Sequence, residues 1–397
     1  MSADPGMEVV RRQGERPHLA LFLATSGHSG VDRSFKRLVP ALARRGYRVD
    51  LLQVRRHGPY IEPLPPNCRR IDLGTRHVYS AIPALVRYLR HNQPQVLFAG
   101  KYRVNLAALL AHRWAKSQSR LVLSSGTTVS VDLAGRGWFE RTLHRWVIAH
   151  WYRNAHLLVA NSRGVADDLA ACAGLASQAV QVVPRAVIDA DLLQAPCPKP
   201  DHPWYRSSTE PVFVSVGELS ERKDHATLIR AFAQLNATHP ARLIILGKGR
   251  EQSRLQALAQ ALKVADRVQL PGFVDQPFGY MAHATALVHS ARWEGLGFVL
   301  IEALAVGTPV ISTDCPSGPR EILNDGQLGT LVPVADVSAM ASAMRDALNA
   351  PPSAERLRQG ARVYETEASA DAHVAALGLS APSAGDAGAS MCADGAS

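Results

Sequence analysis

The chain has 397 residues, 47% apolar and 20% charged, enough for two to three domains with ample cores. No apolar run approaches the ~18 residues of a spanning helix, and the five scattered cysteines (Cys68, Cys172, Cys197, Cys315, Cys392) form no C-x-x-C, which argues against a disulfide framework or a zinc site. Residues 1–190 carry 27 of the 44 basic and 12 of the 34 acidic residues (net +15), leaving 17 and 22 (net −5) for residues 191–397, so the overall +10 conceals a basic first half and a mildly acidic second. Anionic lipid, acidic glycan or nucleic acid could each attract the basic half. Nucleic acid is disfavoured, because the chain shows neither zinc-finger spacing nor an RNP-like aromatic motif.

Residues 1–16 are polar and read as a flexible tail lacking the apolar core of a signal sequence, so a cytoplasmic location is expected. His18 to Ser26 (HLALFLATS) has the length of a buried strand. GHSGVDRSFKRLVPALARRG then supplies a glycine-containing turn and a helix, and YRVDLLQV a second strand. The alternation continues with a helix over Ala81–His91, strand QVLFA, a helix over Asn105–Lys116 and strand RLVLSS. A helix over Trp138–Arg153, strand HLLVANS, helix GVADDLAACA and strand AVQVVPRAVI follow. This order predicts a Rossmann-like α/β domain over residues 17–190. Residues 191–206, proline-rich and polar, read as a linker, and a second alternating unit over 207–350 opens at PVFVSVG. Residues 351–379 are helical in pattern, and 380–397 are low-complexity and read as a disordered tail.

The most informative segment runs from Arg292 to Glu321. Glu294 and Glu302 flank the turn Gly295-Leu296-Gly297, which follows the strand run ATALVHSA and opens a helix ending near Val306, with Gly307 and Pro309 as stop signals. In one continuous helix the two carboxylates would stand about 80° out of phase. With Glu294 in the loop, both can converge on one ligand. A glycine-rich helix N-terminus brings backbone N–H groups close to an anion, and a carboxylate further along can accept sugar or ribose hydroxyls. These are the parts of a site for a nucleotide diphosphate bearing a hydroxyl-rich group. The plainer alternative makes Glu294 a first-turn dipole partner and Glu302 a solvated helix residue.

This E-x7-E pattern, continued by EALAVGTPVISTDCPSGPREIL, resembles the donor-site signature of retaining glycosyltransferases of family 4. VSVGELSERKDHATLIRAFAQL, LIILGKGRE and VQLPGFVDQPFGYM upstream, and LGTLVPVADVSAMASAM downstream, extend the similarity in order over about 140 residues. The resemblance implies an α/β GT-B fold, with two Rossmann-like domains facing across an interdomain cleft and a terminal helix crossing back to the first. The activity implied is transfer of a hexose or N-acetylhexosamine from a nucleotide diphosphate sugar, expected as UDP-linked, to a glycan or lipid-linked acceptor in cell-surface polysaccharide synthesis. The donor is a co-substrate, and neither a cofactor nor a metal is expected.

By the same resemblance Lys223, beyond Gly217, neutralises the diphosphate. Glu218 stands where relatives carry an arginine, which leaves Arg222 as the second cation. Phe273 and Val274 should lie near the base, Gly295, Leu296 and Gly297 should present N–H groups, and Glu302 should hold the ribose. Glu294, with Lys223 the candidate catalytic pair, should orient the transferred sugar rather than attack it, and Gly30 should let the first strand-to-helix loop approach the ligand. Ser125, Gly126, Thr127 and Thr128 occupy the place of a family histidine, whose role therefore does not transfer. Gly247 and Gly249 read as a turn or a nucleotide-side loop. Two basic segments, RSFKRLVPALARRG and WFERTLHRWVIAHWYR, make an anionic surface on the inner face of the cell membrane a candidate partner. Competing readings are a non-catalytic nucleotide-sugar-binding partner of a glycan assembly complex, or another GT-B nucleotide-sugar enzyme such as an epimerase.

Overall fold

A computed structural model describes residues 17–379 apart from residues 28, 136, 207–209, 350 and 351. The expectations for the tails 1–16 and 380–397, and for Cys392, lie outside the described residues. Seven strands, β1 (His18–Leu23), β2 (Arg48–Gln53), β3 (Cys68–Asp72), β4 (Val96–Gly100), β5 (Arg120–Ser125), β6 (Leu157–Ala160) and β7 (Val180–Val182), form a parallel sheet in the order β3-β2-β1-β4-β5-β6-β7. All of β1 is buried, because helix Gly30–Arg44 packs Phe35, Leu38 and Leu42 on one face and helices Ile82–Asn92 and Tyr102–Ala115 cover the other. The order reverses between β1 and β4, where an open parallel sheet leaves a crevice beyond its carboxyl ends.

A second parallel sheet comprises β8 (Val212–Val216), β9 (Arg242–Leu246), β10 (Val268–Gly272), β11 (Ala286–His289), β12 (Val310–Thr313) and β13 (Thr330–Val332), in the order β10-β9-β8-β11-β12-β13. Its reversal falls between β8 and β11. Each unit is thus doubly wound, as the alternating pattern requires.

Four local differences from the sequence reading have physical causes. The edge strand β3 (CRRID) buries only Cys68, so it carries no apolar run. The strand predicted over AVQVVPRAVI stops at Val182, shortly before Pro184, which has no N–H for the ladder. The segment 191–206, expected as a linker, instead contributes Leu193, Trp204 and Tyr205 to the core of the second unit. Trp204 lies under the Arg242 guanidinium at 4.9 Å, and Tyr205 donates to the Tyr280 carbonyl at 2.9 Å. The helical stretch after residue 351 is broken into Ala354–Ala361, against the second unit, and Thr366–Leu377, which packs Ala370, Ala376 and Leu377 into the core of the first. Between the two helices the chain pairs with residues 187–188: Val187 N–H donates to Tyr364 O and Thr366 N–H to Ile188 O, each at 2.9 Å.

Arginines of the basic helix Gly30–Arg44 and its C-cap Arg45 are engaged in ion pairs. Arg33 pairs with Glu302, Arg37 with Asp189, and both Arg44 and Arg45 with Glu367 on the terminal helix. The last three pairs are solvent-exposed and contribute little stability individually.

Asp50 on β2 is fully buried, and the other side chains meet around it. It pairs with His18 at 2.9 Å and accepts from Arg69 at 2.6 Å and Tyr88 at 2.7 Å. Burial disfavours its charge, but hydrogen bonds from His18, Arg69 and Tyr88 outweigh burial and hold the carboxyl well below the usual range. Asp50→Ala is expected to cost about 3 kcal/mol of stability, as for breaking other buried ion pairs, read from urea unfolding. The folded pKa is depressed, so this contribution is complete above the unfolded value of about 3.9 and is lost as pH falls through the folded pKa. The variant should therefore lose less stability than wild type on acidification below about pH 4.

Candidate active site

The chain leaves β8 and β11 on the two sides of the second switch point, and both exits carry chemistry. After β8, Gly217 lets the aliphatic stem of Lys223 lie against the backbone. A Cβ there would stand 3.2 Å from Lys223 Cε. A single 3-10 turn, Glu221–Lys223, ends at Asp224, which takes the left-handed conformation, caps helix His225–Asn236 and accepts from Arg292 Nε at 3.1 Å. These contacts aim Arg222 and Lys223 at the exit of β11.

Glu294 lies at that exit, 6% exposed. Lys223 Nζ donates to Oε1, Arg222 Nη1 donates to Oε2 at 3.0 Å, and His289 Nε2 lies 3.1 Å from Oε1. Burial opposes ionisation of Glu294, but Lys223, His289 and Arg222 overcome it and keep the carboxyl far below its ordinary range. His289 ends β11, and burial, reinforced by Lys223, lowers its pKa, which the Glu294 hydrogen bond only partly offsets. An ionised carboxylate only accepts, so the proton of neutral His289 sits on Nε2 and Nδ1 faces Ser312 Oγ at 2.9 Å. The result is a buried carboxylate under two cations, with a net positive charge.

Gly297 has φ +92° and caps the helix Phe298–Ala305, one to two residues shorter at each end than the sequence suggested. Gly318 permits this turn, because a Cβ there would overlap the Leu296 carbonyl. Glu302 faces the first unit, and Arg33 Nη1 reaches it across the cleft at 2.8 Å. Burial raises the Glu302 pKa against the opposing pull of Arg33 and Arg37. Gly30 sits above Phe298, with no room for a Cβ.

Gly30, Gly295 and Glu302 therefore meet the other unit across the crevice between the two, Leu296 and Gly297 lead from Gly295 into the helix, and Glu294, next to Gly295, holds Arg222 and Lys223, with Gly217 against the Lys223 stem. Phe273 and Val274 follow β10 at the same edge of the sheet, with Phe273 65% exposed. Glu218 is exposed. Sequence reasoning missed Arg33, which lay inside a basic run, and His289, which ended an apolar run five residues before Glu294. It also missed Ser162. From the amino end of helix Arg163–Ala173, Ser162 Oγ donates to Gly295 O at 3.0 Å, while Thr128 Oγ1 lies 3.1 Å from Ser317 Oγ.

A cavity of about 640 Å³ opens in the first unit, at the carboxyl ends of β1, β4 and β5. Its walls include Phe35, Tyr102, Asn105, Ser124, Thr127 and Arg185. Gly126 also lines it, and the Gly126 carbonyl packs so closely on Gly295 that a Cβ on Gly295 would overlap it. The cavity and the charged crevice thus meet at one backbone contact.

Residues 28–190 match the family described as Glycosyltransferase Family 4, and residues 202–364 match Glycosyl transferases group 1. The chain is 30% identical, over 79% of its length and 84% of the relative's, to the lipopolysaccharide core biosynthesis glycosyltransferase LpsE of Rhizobium meliloti. It is 28% identical, over 83% and 90%, to a Campylobacter jejuni protein named N-acetylgalactosamine-N,N'-diacetylbacillosaminyl-diphospho-undecaprenol 4-alpha-N-acetylgalactosaminyltransferase. Among solved structures, Anabaena Alr3699/HepE in complex with UDP superposes with a TM-score of 0.73 at 18% identity, over 90% of this chain and 99% of that one.

Gly295→Ala places a methyl group against backbone, which has no rotamer to yield. The substitution is expected to leave both units folded but hold them apart, read as a larger radius of gyration in small-angle scattering. An unchanged radius would show that the Gly126–Gly295 contact does not control the cleft.

Proposed function

The chain belongs to the family 4 glycosyltransferases, with the GT-B fold, and from that premise we propose that it transfers a hexose or N-acetylhexosamine, with retention of configuration, from a UDP-sugar to a glycan or lipid-linked acceptor in cell-surface polysaccharide synthesis. The observation that carries this reading is the convergence of Lys223, Arg222, Glu294 and the glycine-rich helix start on one crevice. Breaking a sugar–phosphate bond leaves negative charge on the departing diphosphate. Lys223, Arg222 and the N–H groups at Gly295–Gly297 stand ready to stabilise that charge as it develops. Glu294 serves as the anchor that orients both cations before the donor arrives, and it turns towards the transferred sugar as they engage phosphate. The donor ribose replaces Arg33 on Glu302. The cavity of the first unit takes the acceptor, next to the reacting sugar across the Gly126–Gly295 contact.

UDP as the nucleotide is supported by the fold shared with the UDP-bound Anabaena protein. A lipid-linked acceptor is supported by the diphospho-undecaprenol in the Campylobacter relative's name. Thermal-shift titration with UDP, GDP and ADP should give the largest stabilisation with UDP, and Lys223→Ala and Glu302→Ala should each lower release of sugar from the donor by about 10²-fold. Stabilisation by none of the three, or full activity in both variants, would sink the assignment.

Attachment to the inner face of the cell membrane is favoured by helix Trp138–Trp151. No described helix is long and apolar enough to cross a membrane, but Trp138 is 77%, Phe139 67%, Leu143 47% and Trp146 51% exposed. At 100° per residue these four fall within an arc of about 140°, with Arg145 and Arg141 on its flank. His144 points to the opposite side, where it stacks on Tyr102 in the cavity wall. An interfacial helix of this kind would bring the cavity next to lipid-borne acceptors. Wild type should sediment with anionic liposomes at low salt and the Trp138→Ala/Trp146→Ala variant should not. Equal sedimentation of the two would exclude this helix as the anchor.

A further inference from the structure

Arg185 lies in the turn after β7. The terminal helix holds this turn, with Ser369 Oγ donating to the Pro184 carbonyl at 2.8 Å. The Arg185 side chain is almost wholly buried, 4% exposed, yet among the described residues no carboxylate pairs with it. Nη2 donates to Ser124 Oγ at 3.0 Å, Nη1 has no partner, and Cζ stands 5.3 Å from the centre of the Phe35 ring. Burial lowers its pKa to about 10, so the group is still a cation at neutral pH. A buried, unpaired charge is costly, and one hydroxyl and one ring face do not offset the cost.

The guanidinium reaches the cavity wall between Ser124 and Gly126, on the side that touches the Gly295 loop. Lys101, Arg103 and Arg76 also line the cavity, and the one carboxylate among its lining residues, Asp132, is engaged by Thr127 at 2.7 Å. The interior field is therefore positive, and its deepest cation has a hydrogen-bonding direction unused.

We propose that Arg185 is the anchor for an oxyanion carried by the acceptor, a phosphate ester or a carboxylate close to the hydroxyl that receives the sugar. The inference rests on the acceptor role of the cavity proposed above and narrows it: the acceptor is anionic next to its reacting end. The two oxyanion sources share the chemistry Arg185 recognises, since a guanidinium fork fits either one.

The test measures binding with UDP saturating, so that the diphosphate cations of the second unit are occupied. Farnesyl diphosphate is compared with farnesol, and p-nitrophenyl glucuronide with p-nitrophenyl glucoside, on wild type, Arg185→Gln and Arg185→Lys. Wild type should bind one acidic probe at least tenfold more tightly than its neutral partner. The pair that shows the difference identifies phosphate or carboxylate as the source. Arg185→Gln should abolish the difference while UDP binding stays unchanged, and Arg185→Lys should keep part of it. If Arg185→Gln changes only the melting temperature and keeps the acidic preference, or if wild type prefers neither acidic probe, the proposal is overturned. Failure of any nucleotide to bind would instead count against the donor reading, and the proposal would then be scored on the loss of acidic preference from wild type to Arg185→Gln, to which the unchanged cations of the second unit contribute equally.

Discussion

The site depends on keeping Glu294 ionised in a place that excludes water. A carboxylate at 6% exposure would ordinarily take up a proton, and here Lys223, Arg222 and His289 prevent it. The same contacts join three chain segments, the β8 exit, the end of β11 and the loop before helix Phe298–Ala305. Charge and architecture are thus one constraint. Removing the carboxylate would leave two half-buried cations with no reason to share a position, and the glycine-rich turn would lose its fixed neighbour.

The two units meet through several polar contacts and through close backbone approach. Gly126 against Gly295, Ser162 on the Gly295 carbonyl and Arg33 on Glu302 span the cleft. Backbone contact through glycine allows little tolerance in position, whereas a long arginine allows a great deal. The crevice therefore has a rigid floor at Gly295 and a compliant gate at Arg33, an arrangement suited to a ligand that must displace one side chain without remaking the frame.

Much of this was legible in the sequence, for a physical reason. β1, β4 and β11 are buried on both faces and β8 nearly so, and they read as largely apolar runs. The helix after Gly297 was announced by its glycines and stop residues, and Glu294, Lys223 and Glu302 were singled out by motifs whose order and spacing resemble a known family. Four features were not legible. β3 is an exposed edge strand with no apolar run. Trp204 and Tyr205 are core residues inside a proline-rich stretch that looked like a tether. Arg33 belongs to a basic helix face whose partner lies 269 positions away. Arg185 is a cation hidden among apolar neighbours in a run that looked like a strand. Each depends on which distant surface folds over it, and local pattern carries no such information.

The paired segments at 187–188 and 364–366 have a mechanical consequence. The chain passes between the two units side by side with itself, tied by three main-chain hydrogen bonds. Such a ribbon bends readily about one axis but resists twist and sliding, which would break those bonds. Relative motion of the units is thereby reduced to nearly a single coordinate. Opening of the crevice and exposure of the cavity in the first unit then become successive values of the same angle, so the order of events can be set by how far the molecule opens.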